Sequence, residues 1–218
     1  MSGKFIVFEG INGSGKTTII NNLINYYNKH NIKYKYIKFP NRSSESGKII
    51  DKFLKNEHEF LSINEQIKIF ADNRKEEEEI IKNALNNNEI ILCDRYLYSN
   101  IAYILTDVTH SLYLNKNKSY ITIDNIIKYD KGSLKPDLVF LINGDYINLR
   151  NDNIQERYHN NEIKNVLIFN NYLIAFEHTK TEYIIINNIL GHLKNTTDSI
   201  IKKINQISNN KQSREYDS

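Results

Sequence analysis

Eight consecutive residues, Gly10-Ile11-Asn12-Gly13-Ser14-Gly15-Lys16-Thr17, satisfy the pattern G-x-x-x-x-G-K-[ST] in full. Glycines at these positions let backbone N–H groups converge on phosphate oxygens, and a helix opening at Lys16 adds positive potential at the same point. Such a loop places Lys16 on the β- and γ-phosphates of ATP and offers the Thr17 hydroxyl to Mg²⁺. Asn12, Gly13, Ser14, Gly15 and Thr18 complete the candidate ATP-binding stretch. The plain alternative, a glycine-rich turn with an accidental lysine, does not call for a strand before it and a helix after it. A second group, Asp94-Arg95-Tyr96, offers a carboxylate that can order a magnesium shell and a planar guanidinium that can grip an acceptor phosphate. Alone, that tripeptide reads equally well as a surface ion pair. Beside the first motif, the catalytic reading prevails.

The elements that must position these residues are legible as alternating patterns. Phe5–Phe8 is a nearly continuous apolar run that suits a buried parallel strand, and Ile19, Ile20, Leu23, Ile24 and Tyr27 recur at helical spacing after it. Further strands are predicted at Tyr34–Phe39, Glu89–Cys93, Leu138–Ile142 and Tyr183–Ile186. Helices are predicted over Gly47–Lys55, Ile63–Asn86, Asn161–Glu177 and Asp198–Ile207. Thr106–Gly132 reads as a polar, irregular insertion with one helix near Ile123–Tyr129, and residues 208–218 as a polar tail. The fold class is therefore α/β, a five-stranded parallel sheet flanked by helices in one domain over residues 1–207, with ligands at the strands' carboxyl ends.

Composition narrows the partners. A formal net charge of +3 on 218 residues permits anionic small molecules but is too mild for a nucleic-acid binder. No apolar run approaches the roughly 20 residues of a membrane span, and the N-terminus opens straight into a strand pattern without a signal-peptide layout. The single cysteine, Cys93, cannot form an internal disulfide, which suits a reducing, cytoplasmic setting. The six histidines are scattered, with no metal-ligand spacing.

More motifs follow in order: Phe39-Pro40-Asn41-Arg42, Gly47-Lys48-Ile49-Ile50, Phe70-Ala71-Asp72-Asn73-Arg74, Asp94 to Tyr103, Leu134-Lys135-Pro136-Asp137 and Glu156-Arg157-Tyr158. Each is common alone. Together, over roughly residues 3–178, they resemble the thymidylate kinases of the eukaryotic and viral type. That resemblance implies a P-loop nucleoside monophosphate kinase architecture, transfer of the ATP γ-phosphate to dTMP, Mg²⁺ on Thr17 and Asp94, and a homodimer. It implies that Phe70 stacks on the thymine ring, that Arg74 bonds the base edge and that Arg42 and Arg95 hold the acceptor phosphate. Tyr103 then lies where a 2′-hydroxyl would project, Ser99 lies near the base, and Glu9, Asn12 and Phe39 line the same pocket. A lid at about 149–160 would carry two candidate catalytic arginines, Arg150 and Arg157. The chain departs from the family at Asn12, usually an aspartate that accepts from the acceptor's 3′-hydroxyl, and at Asn100, usually a glycine.

Each of these residues also has a bland reading. Phe70 and Tyr103 sit at core-like helical spacing, Arg42 and Arg74 are long cations that could lie on the surface, and Glu76-Glu77-Glu78-Glu79 reads as a solvated helix face. Two rivals remain. A deoxynucleoside kinase shares the Glu9–Lys16 pattern but lacks the Arg42 motif. A nucleotide-binding module without catalysis would retain the loop with Asn12 as its lesion.

Overall fold

The computed structural model describes residues 3–57, 61–113, 121–144, 162–189 and 192–207. Five strands, β1 (Lys4–Glu9), β2 (Tyr34–Lys38), β3 (Ile90–Asp94), β4 (Leu138–Asn143) and β5 (Tyr183–Asn187), form one sheet in the order β2-β3-β1-β4-β5. All four pairings are parallel. Strand β1 is central, and every one of its residues is buried, as a strand covered on both faces must be.

Alternation along β1 divides the core into two layers. Phe5 and Val7 join Ile37, Ile91, Cys93, Val139 and Leu141 on one face. That face is covered by α3 (Ile63–Glu76), α4 (Glu78–Asn86), α5 (Leu97–Tyr113) and α7 (Glu162–His178). Ile6 and Phe8 face the other way, with Leu92, Phe140 and Ile142, beneath α1 (Lys16–Lys29) and α8 (Leu193–Gln206). Each such fully buried side chain contributes about 1.5–3 kcal/mol of transfer free energy.

Three expectations are revised. The pattern over residues 63–86 is two helices, because Glu77 ends α3 and starts α4. Helix α8 begins at Leu193, ahead of the predicted Asp198. Residues 106–113 are not irregular: they extend α5 to Tyr113. Thr106, polar in sequence, is paired inside, Oγ1 donating to Ala102 O at 2.8 Å and accepting from Asn171 Nδ2 at 2.9 Å. Beyond them, α6 (Ile123–Ile127) and a 3₁₀ turn over Lys128–Asp130 pack inward through Ile126 and Asp130, both buried. The polar tail lies outside the described residues.

Helix α2 (Glu45–Leu54) shows how tightly the chain around Arg42 is fitted. The Ser44 side chain accepts from Gly47 N at 3.2 Å, which caps the helix, and the backbone of residue 41 lies against Gly47. A Cβ at Gly47 would sit 1.7 Å from Asn41 O and 3.0 Å from Arg42 Cα. Gly47→Ala must therefore displace backbone. Overpacking of this kind costs about 1–3 kcal/mol, or roughly 2–4 °C of Tm per kcal/mol in a chain of this size. Scanning calorimetry should show a loss of several degrees; a Tm within about one degree of wild type would mean that the 41–46 segment yields freely.

Candidate active site

The glycine-rich loop leaves β1 at Gly10, whose φ of 142° lies outside the range of ordinary L-residues. A Cβ there would also meet Ile142 O at 2.4 Å. Gly13 and Gly15 take φ of 78° and 90°, and α1 starts directly after them. Its first turn holds no acid and no side-chain cap, so its N–H groups are left for an anion. Lys16, buried, folds back on the loop: Nζ donates to Gly10 O at 2.9 Å and to Ile11 O at 2.7 Å. Asn188, just past β5, donates to Ser14 O at 3.0 Å and ties the loop to the far side of the sheet.

Thr17 and Asp94 meet across the β1–β3 pair, Oγ1 to Oδ2 at 3.5 Å. The other carboxylate oxygen of Asp94 is buried and has no hydrogen-bond partner among the described residues. A hydroxyl beside an under-used carboxylate fits a hard cation that keeps most of its shell as water and phosphate. No cluster of three acidic, histidine or cysteine side chains exists among the described residues, so a cage made only of protein groups is not what these elements build.

Arg95 follows β3 in the left-handed region, φ 70°, an arrangement that costs a non-glycine residue about 1–2 kcal/mol. Its side chain is held on several sides. Nη1 donates to Gly10 O at 2.9 Å, Tyr172 Oη at 3.0 Å and Ser99 Oγ at 3.1 Å, while Nη2 donates to Asn12 Oδ1 at 2.5 Å. The guanidinium also lies 5.4 Å from the Tyr103 ring centroid, in cation–π range. Glu9, fully buried, accepts from Tyr96 N at 2.8 Å and Ser99 N at 3.1 Å through Oε1, and from Ser99 Oγ at 2.6 Å through Oε2. Burial raises the Glu9 pKa, against the lowering pull of Arg95, the Ser99 and Tyr96 hydrogen bonds and Lys16. Asn100, also buried, has its amide nitrogen without a partner among the described residues.

The segment after β2 hangs on α3. Asn73 accepts from Asn41 N at 2.8 Å and donates to Asn41 O, Ser44 Oγ and Ser46 Oγ at 3.1, 2.9 and 2.9 Å. Glu76 accepts from Ser46 N and Oγ, and Glu77 accepts from Asn41 Nδ2 at 2.5 Å. These two glutamates bracket a loop, although Glu76 remains exposed to solvent as the acidic run suggests. Arg42 Nη1 rests on Asp51 Oδ1 at 2.7 Å, so an incoming phosphate must compete with that carboxylate. Arg74 is 4% exposed, against its surface reading, and grips Asp130 bidentately, Nε to Oδ1 at 2.8 Å and Nη2 to Oδ2 at 2.7 Å. Phe39 is buried, and Phe70 is half-buried against Ile50, Phe53 and Leu54.

The structure thus brings Glu9, Asn12, Lys16, Thr17, Asp94, Arg95, Ser99 and Tyr103 together at the carboxyl ends of β1 and β3. Arg42, Phe70 and Arg74 belong to the adjoining α2–α3 wall. Arg150 and Arg157 lie outside the described residues. Three contributors escaped sequence reading: Tyr172, Asp130 and Asn188. Tyr172 has the spacing of a core residue, Asp130 lies in a segment that reads as irregular, and Asn188 belongs to no motif.

A family model described as thymidylate kinase matches residues 8–200. The chain is 40% identical over 159 residues to a thymidylate kinase of Plasmodium falciparum, an alignment spanning 72% of this chain and 70% of that protein. It is 32% identical over 151 residues to a putative thymidylate kinase of an invertebrate iridescent virus, spanning 69% of this chain and 65% of the viral one. Among solved structures, a thymidylate kinase from Candida albicans superposes with a TM-score of 0.78 at 28% identity, over 94% of this chain and 92% of that one.

The buried Arg74–Asp130 pair makes a claim on stability. Removing one partner strands the other charge, at a cost of about 3–5 kcal/mol, whereas replacing both by apolar side chains is often neutral. Asp130→Ala should therefore lower Tm by on the order of 10 °C, and the double variant Arg74→Met/Asp130→Leu should recover most of the loss in a thermal melt. Equal melting of the single and double variants would show that the two charges do not depend on one another.

Proposed function

The chain belongs to the thymidylate kinase family, and we propose that it transfers the γ-phosphoryl group of ATP to dTMP, giving dTDP and ADP. One observation carries this reading: Lys16 and Arg95 hydrogen-bond the same atom, Gly10 O, each at 2.9 Å. A cation suited to the donor phosphates and one suited to the acceptor phosphate are thereby anchored within two hydrogen bonds of each other. Phosphoryl transfer asks for little covalent chemistry; it needs two nucleotides aligned and the charge between them neutralised.

In this reading the donor phosphates lie over the Gly13–Thr18 backbone and Lys16. Thr17 and Asp94 would hold Mg²⁺, which when bound neutralises charge on the β- and γ-phosphates. Arg95 presents its remaining N–H groups to the acceptor phosphate, and Arg42 joins it by leaving Asp51. Asn12 Oδ1 accepts from the acceptor's 3′-hydroxyl. Phe70 offers its ring to the base, Arg74 is aimed at the base edge by Asp130, and Asn100 donates to a base carbonyl. Tyr103 lies against the sugar. Gly13 has no side chain with which to serve the transferred group, so that cation falls to the 149–160 segment, where Arg150 is the first choice and Arg157 the second. The reading extends to a homodimer, as the family resemblance implies, and to the cytoplasm, supported by the unpaired thiol of Cys93.

A phosphate-free acceptor, as in a deoxynucleoside kinase, would leave the Arg42 motif without work. A non-catalytic module would not need Asp94 with an oxygen in reserve. The described residues include no helix long and apolar enough to cross a membrane.

Two substitutions test the assignment in a coupled ADP-release assay. Lys16→Ala removes a charge-assisted phosphate contact of about 1.5–3 kcal/mol in binding, and more as charge develops in transfer. It should lower kcat at least a hundred-fold while leaving Tm near wild type; a folded variant with normal turnover would displace the ATP site from this loop. Asn12→Asp makes the 3′-hydroxyl bond charge-assisted, a gain of about 1 kcal/mol, or roughly five-fold in KM for dTMP. A rise in that KM would instead mark a pocket built around a neutral amide for another acceptor.

A further inference from the structure

We propose that Tyr172 is a positioning residue for the acceptor phosphate, holding Arg95 in the orientation that phosphate requires through a directed chain of hydrogen bonds ending on Glu9. The inference rests on the acceptor being a nucleoside monophosphate, as proposed above.

The direction of the chain follows from counting hydrogens. Glu9 Oε2 lies 2.6 Å from Ser99 Oγ; with Glu9 ionised, the form that Arg95, Lys16 and the donors from Tyr96 and Ser99 favour, it can only accept, so the one hydroxyl hydrogen of Ser99 is committed to Glu9. Ser99 Oγ lies 2.8 Å from Tyr172 Oη, and with its own hydrogen spent it must accept there, so the tyrosine donates. Tyr172 Oη then accepts from Arg95 Nη1 at 3.0 Å. Guanidinium, phenol, hydroxyl and carboxylate form one polarised sequence, in which each bond strengthens the next. Burial raises the Tyr172 pKa well above the ordinary phenol range, so the hydrogen needed for donation stays in place.

The consequence for Arg95 is geometric. Nη1 has its hydrogens shared among Gly10 O, Ser99 Oγ and Tyr172 Oη, and one Nη2 hydrogen goes to Asn12. Nε–H has no partner among these contacts, and it lies on the Nε/Nη2 edge of the guanidinium fork, the edge that suits phosphate oxygens. Gly10 and Ser99 belong to the same end of the sheet as Arg95. Tyr172 alone approaches from α7, fully buried, and its ring stacks on Phe176 with centroids 6.1 Å apart. It fixes the rotation of the fork about the remaining bonds.

Tyr172→Phe removes one oxygen and keeps the ring. Isothermal titration of dTMP and of thymidine into the wild type and the variant separates the roles, because the two ligands differ only in the phosphate. The expected result is that dTMP binding weakens about ten-fold, the range of a charge-assisted hydrogen bond, while thymidine binding is unchanged. Tyr172→Met, which fills the same buried space with a flexible apolar side chain and also lacks the hydroxyl, carries the test with the same expected phosphate-specific loss if the phenylalanine variant does not fold. Equal weakening of both ligands would make Tyr172 a packing residue and overturn the proposal, as would unchanged binding of both. If wild-type protein binds dTMP no more tightly than thymidine, it is the monophosphate reading that fails.

Discussion

The Gly10 carbonyl oxygen takes hydrogen bonds from Lys16 and Arg95, with the Tyr172 hydroxyl 3.4 Å away. It can do so because the chain leaves the central strand at a φ that only glycine adopts readily, which turns the carbonyl inward instead of along the sheet. A side chain there would also strike Ile142 O on the neighbouring strand. The proposed donor and acceptor halves of the site are thus referred to one backbone atom, itself fixed by the most deeply buried strand of the sheet. On the proposed function, alignment of the two nucleotides is a property of β1.

Placing two cations in a dry crevice would cost several kcal/mol if they were left alone. The fold supplies Glu9 at the end of β1 and Asp94 at the end of β3, both buried, so the free site carries carboxylates near each cation. The carboxylates differ in how they are used. Glu9 accepts three hydrogen bonds and locks the turn that carries Arg95 and Ser99. Asp94 keeps one oxygen unpartnered among the described residues. One therefore holds geometry, and the other retains capacity for a ligand shell.

Much of this was legible in the sequence, for physical reasons that also mark where legibility stops. The three inner strands, buried on both faces, read as unbroken apolar runs, and the half-exposed edge strands β2 and β5 read from their β-branched and aromatic residues, so all five emerge within a residue or two of their predicted bounds. The glycine-rich loop is legible because its shape is set by the glycines themselves, at positive φ in Gly10, Gly13 and Gly15. Tyr172 is not, because a buried tyrosine aimed at an arginine has the same helical spacing as one that only fills space. Residues 106–113 misled because Thr106 and Asn171, polar in sequence, satisfy each other inside. The acidic run misled for the opposite reason: Glu76 and Glu77 lie at a helix junction facing the 41–46 segment, while Glu78 pairs with Lys82 in the ordinary i, i+4 manner.

The two halves of the site are also built from different materials, with a consequence for how specificity can change. The donor half is made of backbone N–H groups and glycine conformations, which tolerate almost no substitution. The acceptor half is made of side chains: Asn73 bridges residues 41 to 46, Asp130 clasps Arg74, and Asp51 pairs with Arg42. Each can be altered without touching the glycine-rich loop. Asn12 is the exception, because it stands in the donor loop yet accepts from Arg95. A neutral amide there leaves the charge of Arg95 to be balanced by Asp94 and Glu9. On the proposed reading the acceptor phosphate then meets an arginine whose partner in the glycine-rich loop is neutral, where an aspartate would repel it.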